Sequence, residues 1–348
     1  MSTPTTMMAS VLTAPQTIEL QRVDVPPPAR GQVLIQVTAI GVCGSDTHFY
    51  EKGAIGDIIV KGPIVLGHET GGVIVAVGEG VDESRIGVRV AVEPQTPCRH
   101  CEYCRRGSYH LCREILFYGA WPVDGSFSEY VLADDDFAHT IPDTLTDEQA
   151  ALVEPVSVAL HAARRAGVSA GHRVLITGAG PIGVLNAQVA RACGAVEIVV
   201  SDPIPNRREF AAAHGADRVL DPFADDLGDF DQYFDIYIDA SGSAPAILSA
   251  LQTIRRGGTA VLVGMGGEQL NVPIAMIQHR EITLTGTFRY VNTWPEAISL
   301  IASGAIDVSG IVTGRYGLEN VEEALTKSKN DPLAIKTMII PALTKTTV

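Results

Sequence analysis

The stretch Arg173–Ala192, RVLITGAGPIGVLNAQVARA, decides the fold. Arg173–Thr177 is a short apolar run of strand type, and Pro181–Ala192 reads as a helix with proline in its first turn. Between them, Gly178-Ala179-Gly180-Pro181-Ile182-Gly183 fits Gly-x-Gly-x-x-Gly. Alone that string is weak evidence. Here it follows a strand and opens a helix, as its mechanism requires. Gly178 permits the tight turn, Gly180 lets the backbone approach a pyrophosphate, and Gly183 lets helix and strand pack closely. The helix N-terminus then offers free N–H groups and a favourable dipole to the diphosphate. Asp202 ends the next strand, about 20 residues on. A carboxylate there accepts hydrogen bonds from both ribose hydroxyls of NAD and repels the 2′-phosphate of NADP. Arg207 and Arg208 complicate that choice, since an arginine there can meet a phosphate; Arg207 can equally pack against the adenosine edge.

Working outward, strands are expected at Ile198–Ser201, Phe234–Asp239 and Thr259–Val263, with helices at Asn206–His214 and near Ala244–Arg255. Strands alternating with helices imply right-handed βαβ units and a doubly wound parallel sheet. Before residue 155 the style differs. Val33–Val37, Val73–Val77 and Val88–Val92 are short apolar runs bounded by glycine or proline, which read as strands of a β-rich, barrel-like domain. The last stretch returns to mixed structure, with helical patterns at Trp294–Ala302 and Glu319–Lys327. The fold class is α/β, with a second, β-rich domain beside the parallel sheet.

Composition narrows the function. The chain has 348 residues, a prior of about two domains. It is 46% hydrophobic and 19% charged, which excludes intrinsic disorder. With 26 basic against 40 acidic residues its formal charge is −14. Such a surface repels phosphate backbones and anionic membranes, so neither nucleic acid nor membrane is an expected partner. No apolar run approaches the ~20 residues that span a bilayer. The first residues show no secretory pattern, and a cytoplasmic protein is expected.

Cys98, Cys101, Cys104 and Cys112 have the spacing C-x2-C-x2-C-x7-C. In a reducing compartment that spacing suggests metal rather than disulfides. Four thiolates make a closed tetrahedral Zn²⁺ site with no room for substrate, which would staple a lobe over 94–115. Arg99, His100, Arg105 and Arg106 read as solvated surface. Elsewhere Cys43, His68, Glu69 and Glu154 are scattered residues of ligand type, and a catalytic zinc needs about three of them and one open position. Spacing alone does not make them converge. His68 and Glu69, as neighbours, would point to opposite faces of a strand, so both reach one ion only from irregular backbone. Gly67, Gly71 and Gly72 make that plausible. Ser45 and His48, close to Cys43, could pass a proton from the metal to water.

These segments together resemble the zinc-dependent medium-chain dehydrogenase/reductase superfamily, and within it the polyol (sorbitol, xylitol, L-iditol) dehydrogenases. The likeness is carried by Gly41–Tyr50 (GVCGSDTHFY), Gly62–Gly71 (GPIVLGHETG), Glu154–Val158 (EPVSV) and Phe288–Pro295 (FRYVNTWP), together with the four clustered cysteines and the central glycine string. The resemblance implies a GroES-like catalytic domain of residues 1–153 and 293–348, with a Rossmann NAD-binding domain of 154–292 between. It implies two zinc ions: one catalytic on Cys43, His68 and Glu69, with Glu154 direct or through water, and one structural on the four cysteines. Ser45, Tyr50, Phe117, Arg289 and Tyr290 match substrate-pocket positions. Ile182, Asp202, Arg207, Val263, Met265, Phe288 and Arg289 match cofactor-contacting positions. The implied activity is oxidation of a polyol's secondary hydroxyl to a ketose with hydride transfer to NAD⁺, and the reverse, by a homotetramer. Trp121, beside Phe117, is a departure expected to narrow the pocket. The rivals are a secondary-alcohol or 2,3-butanediol dehydrogenase of the same superfamily, a zinc-free quinone reductase, and a non-catalytic dinucleotide-binding protein.

Overall fold

The computed structural model describes residues 4–267 and 269–345. They form two compact units. One runs up to Glu154 and takes in Trp294–Ala302 and Ser309 onward; the other holds Pro155–Thr293 and Ser303–Val308. The chain thus crosses between the units four times, after residues 154, 293, 302 and 308.

The first unit is built on a seven-stranded sheet. Its order is Ala138–Thr140, Arg89–Val92, Glu69–Val77, Gln32–Gly41, Lys336–Ile339 and Val312–Tyr316, with Tyr130–Asp134 also paired to Gln32–Gly41. The pairs are antiparallel except the last two strands of the order, which run parallel. Leu34, Ile35 and Ile40 are buried because Gln32–Gly41 is central. Two strands are longer than expected. Gln32–Gly41 continues past Val37, and Glu69–Val77 begins four residues before Val73. Gly71 and Gly72 break the apolar pattern, and the sheet ladder overrides them. The extra length matters, because it puts Gly41 opposite Glu69.

The second unit is a six-stranded parallel sheet. Its spatial order is Arg218–Leu220, Glu197–Ser201, Arg173–Thr177, Phe234–Asp239, Ile254–Leu262 and Thr283–Gly286. Numbered by chain order that is 3-2-1-4-5-6, the doubly wound dinucleotide-binding arrangement. Val174, Leu175, Ile176, Val199 and Val200 are fully buried, as strands covered on both faces must be. Helix Pro181–Ala192 follows the first strand, and Pro205–Ala213 and Ala244–Thr253 cover the sheet further on. Ligands of such sheets bind at the carboxyl ends of the strands, where the order reverses. Among the described residues no helix is long and apolar enough to cross a membrane.

Candidate metal centre and dinucleotide loop

Cys43, His68 and Glu69 converge. One ligand atom of each lies within 4.8 Å of the others, with His68 and Glu69 buried. Cys43 caps the N-terminus of helix Gly44–Lys52, directly after the central strand ends. His68 is the last residue of a loop and Glu69 the first of a strand, and Gly67 turns the chain with φ +89°. This is the irregular backbone that lets two neighbours face one point.

Asp46 is fully buried and fastens the pieces together. Its carboxylate accepts from Cys43 N at 2.9 Å and from Gly67 N at 3.0 Å. It also stands 3.4 Å from His68 Nδ1. That contact is too poorly aligned for a hydrogen bond, but it sets the charge beside the ring. A carboxylate on one imidazole nitrogen orients the other toward a metal. Burial works against protonated His68, yet Asp46 and Cys43 outweigh it and lift the imidazole well above its ordinary range. The Phe117 ring lies 5.3 Å from the His68 ring.

The other residues near Cys43 divide. Ser45 Oγ faces His68 Nε2 at 3.5 Å. The charges acting on His48 are those of Lys52, Glu51 and Lys329. Tyr50 is buried, and its hydroxyl donates to Glu322 at 2.6 Å. Burial and Glu322 push that phenol up to about 12. Tyr50 thus clamps its helix to helix Val321–Asn330, with help from Thr47, which donates to Leu325 O. Trp121 rests over Gly62, where a Cβ would meet its ring at 3.1 Å.

Lys336 is the residue the sequence reading missed. It is buried, and its Nζ donates to Glu69 Oε1 at 2.5 Å. Burial disfavours its charge, but Glu69 and Cys43, then Glu154, raise it above the usual lysine range. Glu154, buried in the first turn of helix Val153–Ala166, therefore shares this neighbourhood. A signal was present: a lone lysine inside Ala334-Ile335-Lys336-Thr337-Met338-Ile339-Ile340 marks a buried, paired cation. Glu69 Oε2 is buried with no hydrogen-bond partner. An orphaned carboxylate oxygen beside a thiol and an imidazole fits a zinc ion, whose ligands are of these types.

The four cysteines also form one cluster, with all four sulfurs within 4.8 Å. Cys98 and Cys104 sulfurs are 3.9 Å apart, near the separation that ~2.3 Å Zn–S bonds impose on a tetrahedron. Backbone N–H groups of Cys98, Cys101 and Cys104 point at neighbouring sulfurs. The Cys104 N–H holds the Cys101 thiol down to about 6, while burial and Cys101 push Cys104 up to about 12. Arg99 is half exposed, as expected, but it is also paired. It turns the Cys98–Cys101 knuckle with φ +65°, and its guanidinium forks onto Asp136 at 2.5 and 2.8 Å and reaches Asp134 at 3.0 Å.

In the other unit the glycine string makes its turn as expected. Gly178 has φ +91°, and a Cβ there would strike Ala240 backbone at 2.9 Å. Gly180 opens the helix with empty space beside it, where a phosphate can approach the N–H groups, and a Cβ on Gly183 would collide with Gly178 O. Asp202 is buried and already accepts from Ala179 N at 2.7 Å and Ile204 N at 2.8 Å. Its first task is therefore to hold the glycine loop, leaving one lone pair per oxygen for a ribose. Arg208 pairs with Asp221 at 2.9 Å, whereas Arg207 Nε is buried without a hydrogen-bond partner. Val263 packs partly buried against the sheet's core and Ile182 is half-buried, whereas Met265 and Phe288 leave about half their surface exposed. Arg289 adopts φ +53°, with its guanidinium 4.7 Å above the Phe288 ring, and Tyr290 is fully buried. Bare glycine backbone, a strand-end carboxylate and exposed apolar side chains fit a nicotinamide dinucleotide.

Residues 29–143 match the family described as Alcohol dehydrogenase GroES-like domain, and 181–303 match Zinc-binding dehydrogenase. The chain is 39% identical to a sorbitol dehydrogenase of Bacillus subtilis (strain 168), over 97% of this chain and 98% of that protein. It belongs to the zinc-dependent medium-chain dehydrogenases, in their polyol-dehydrogenase branch. Two solved structures of this family frame the range of the branch. L-idonate 5-dehydrogenase from Escherichia coli superposes with TM-score 0.90 at 32% identity, covering 96% of this chain and 98% of the other. 2R,3R-butanediol dehydrogenase from Bacillus subtilis gives 0.89 at 30%, covering 96% and 99%. The chain is an oxidoreductase of polyol or alcohol dehydrogenase type.

Proposed function

We propose that this dehydrogenase oxidises a secondary hydroxyl of an acyclic polyol to a ketose, with NAD⁺ as hydride acceptor, and catalyses the reverse reduction. The observation that carries this reading is the convergence of Cys43, His68 and Glu69: three ligand-type side chains, one fewer than a closed site. Zinc held there would act as a Lewis acid on the substrate hydroxyl, and NAD⁺ would supply the redox chemistry. Asp46, 3.4 Å from His68 Nδ1, places a negative charge on one side of the ring, which favours turning the other nitrogen toward the ion. Glu154, a buried carboxylate in the field of Lys336, accepts the hydroxyl proton, directly or through water. Ser45 and His48 form a second exit for that proton. Arg289 and Tyr290 belong to the substrate side, Arg289 orienting the remaining hydroxyls. The Cys98–Cys112 lobe takes a second, structural zinc. The working assembly is a homotetramer in the cytoplasm.

The chain's similarity to 2R,3R-butanediol dehydrogenase supports a second reading, in which a smaller vicinal diol is the substrate. Initial rates at 340 nm with xylitol, sorbitol and 2,3-butanediol, each with NAD⁺ and NADP⁺, separate the two. A C5 or C6 polyol with NAD⁺ is expected to have the highest kcat/KM. A higher value for butanediol installs the second reading, and no turnover with any of them removes both. Because Asp202 both anchors Ala179 and faces the ribose position, Asp202→Ala is expected to raise the KM for NAD⁺ about tenfold and to narrow the preference over NADP⁺.

A further inference from the structure

Three adjacent strands meet at Gly41. It pairs with Glu69 on one side and with Met338 on the other, two residues beyond Lys336. A Cβ on Gly41 would lie 1.9 Å from Glu69 Oε2 and 3.1 Å from Lys336 Cε. The space of the missing side chain is thus filled by a carboxylate and a lysine stem reaching in from the two neighbouring strands. The pair is sealed, with Lys336 5% and Glu69 1% exposed. Such a pair is a poor investment in stability alone, since apolar residues of similar volume serve as well or better. Its position beside Cys43 and His68 supplies another reason.

A carboxylate can give a metal one oxygen or both. Two oxygens from Glu69, added to Cys43 and His68, would fill a four-coordinate sphere and leave no place for substrate. Lys336 holds Oε1 and leaves Oε2 without a partner. Charge points the same way. The Cys43 thiolate with Glu69 and Glu154 makes three negative charges, of which a divalent ion cancels two and the Lys336 ammonium the third. We propose that Lys336 is a positioning residue that restricts Glu69 to one oxygen at the metal and neutralises the loaded centre, trading grip on zinc for an open coordination position. This rests on reading Cys43, His68 and Glu69 as the catalytic zinc site.

The test measures zinc release to a chelator from the holoenzyme, with His68→Ala enzyme marking the zinc that belongs to the four-cysteine lobe. Lys336→Met and Lys336→Gln remove the charge, and the second keeps a hydrogen-bond donor. Both are expected to release the catalytic zinc about tenfold more slowly, because a like charge next to the ion has gone. Both should lose kcat by about 10–100-fold. Lys336→Arg, which keeps the charge, should stay near wild type in both readings. In the Lys336→Met enzyme, cobalt at the catalytic site should give a visible spectrum that no longer shifts when substrate is added, because no coordination position is left open. Release from Lys336→Met or Lys336→Gln at the wild-type rate or faster overturns the proposal, as does Lys336→Arg behaving like Lys336→Met. If Lys336→Met does not fold, Lys336→Gln and Lys336→Arg still decide between these results. A wild-type chain holding only the lobe zinc would instead sink the metal reading itself, whatever the variants do.

Discussion

The two cysteine-bearing centres of the first unit are built on opposite plans. The lobe takes four ligands from fifteen consecutive residues, Cys98 to Cys112, on irregular backbone and two single helical turns. Its four thiols are alike, they would fill a tetrahedral sphere, and the lobe is fastened from outside by the half-exposed Arg99 fork. The Cys43 centre takes unlike ligands from a helix start, a loop end and a strand start. Each is held by a buried charged group, Asp46 or Lys336, supplied by the sheet or by the helix that Cys43 caps. A staple requires only proximity in the chain. A reactive centre needs unlike neighbours at set angles with one side open, and only tertiary structure supplies that.

The strongest way to break this comparison is to remove one ligand from each centre. His68→Ala should abolish turnover and one zinc per chain while leaving the melting temperature within about 3 °C, because the sheet beneath does not depend on the metal. Cys104→Ser should do the reverse. It should keep kcat near wild type at 20 °C but lower the melting temperature of the first unit by roughly 6–12 °C, as expected for a loss of ~3 kcal/mol in a unit of roughly 200 residues. Zinc analysis, calorimetry and rates on the two proteins settle it. If both variants lose activity and stability together, the division of labour argued here is wrong.

The contrast also explains what was legible in the sequence. The Arg173–Ala192 unit and the cysteine cluster were readable because the residues that cooperate are neighbours, so spacing carries the geometry. Phe234–Asp239 and Trp294–Ala302 were found with their observed ends for the same reason. Cys43, His68 and Glu69 could be picked out as ligand types, but only the family resemblance grouped them on one ion, since nothing in their spacing brings them together. Lys336 escaped because its partner is Glu69, 267 positions away, and the pairing exists only through the strand order. The resemblance puts Tyr50 among the substrate-pocket positions, and no spacing signal announces that its hydroxyl donates to Glu322, another contact across the chain. The pairing of the half-exposed Arg99 escaped because its acceptors, Asp134 and Asp136, lie far along the chain.

A smaller effect sharpens the point about external fastening. Arg99→Ala deletes three hydrogen bonds between the knuckle and Asp134 and Asp136. The side chain is half exposed, so solvent screens the pair and the stability cost should be no more than about 1 kcal/mol. Zinc release from the lobe should nonetheless quicken severalfold, since the knuckle can open locally. Release from the Cys43 centre should not change. An equal change at both centres would mean that they are coupled, contrary to the picture of a separate staple.

The smallest expected effect concerns His48, on the Cys43 side of the comparison. Burial, then Lys52 and Lys329, hold its imidazole below the usual 6.5, with Glu51 opposing. A histidine whose folded pKa is depressed binds its proton more readily in the unfolded chain. Its contribution to stability is therefore present above pH 6.5 and is lost as pH falls through the lower folded value. His48→Gln cannot titrate, so its denaturant midpoint should fall less than that of wild type between pH 7.5 and 5.5. The same variant probes the second proton exit. If His48 carries protons outward, kcat at pH 7 should drop by up to about tenfold, and small-molecule imidazole should restore part of it. A flattened stability profile with unchanged kcat would leave His48 as a charge neighbour of Lys52 and Lys329 only, with Glu154 as the sole proton acceptor at the centre.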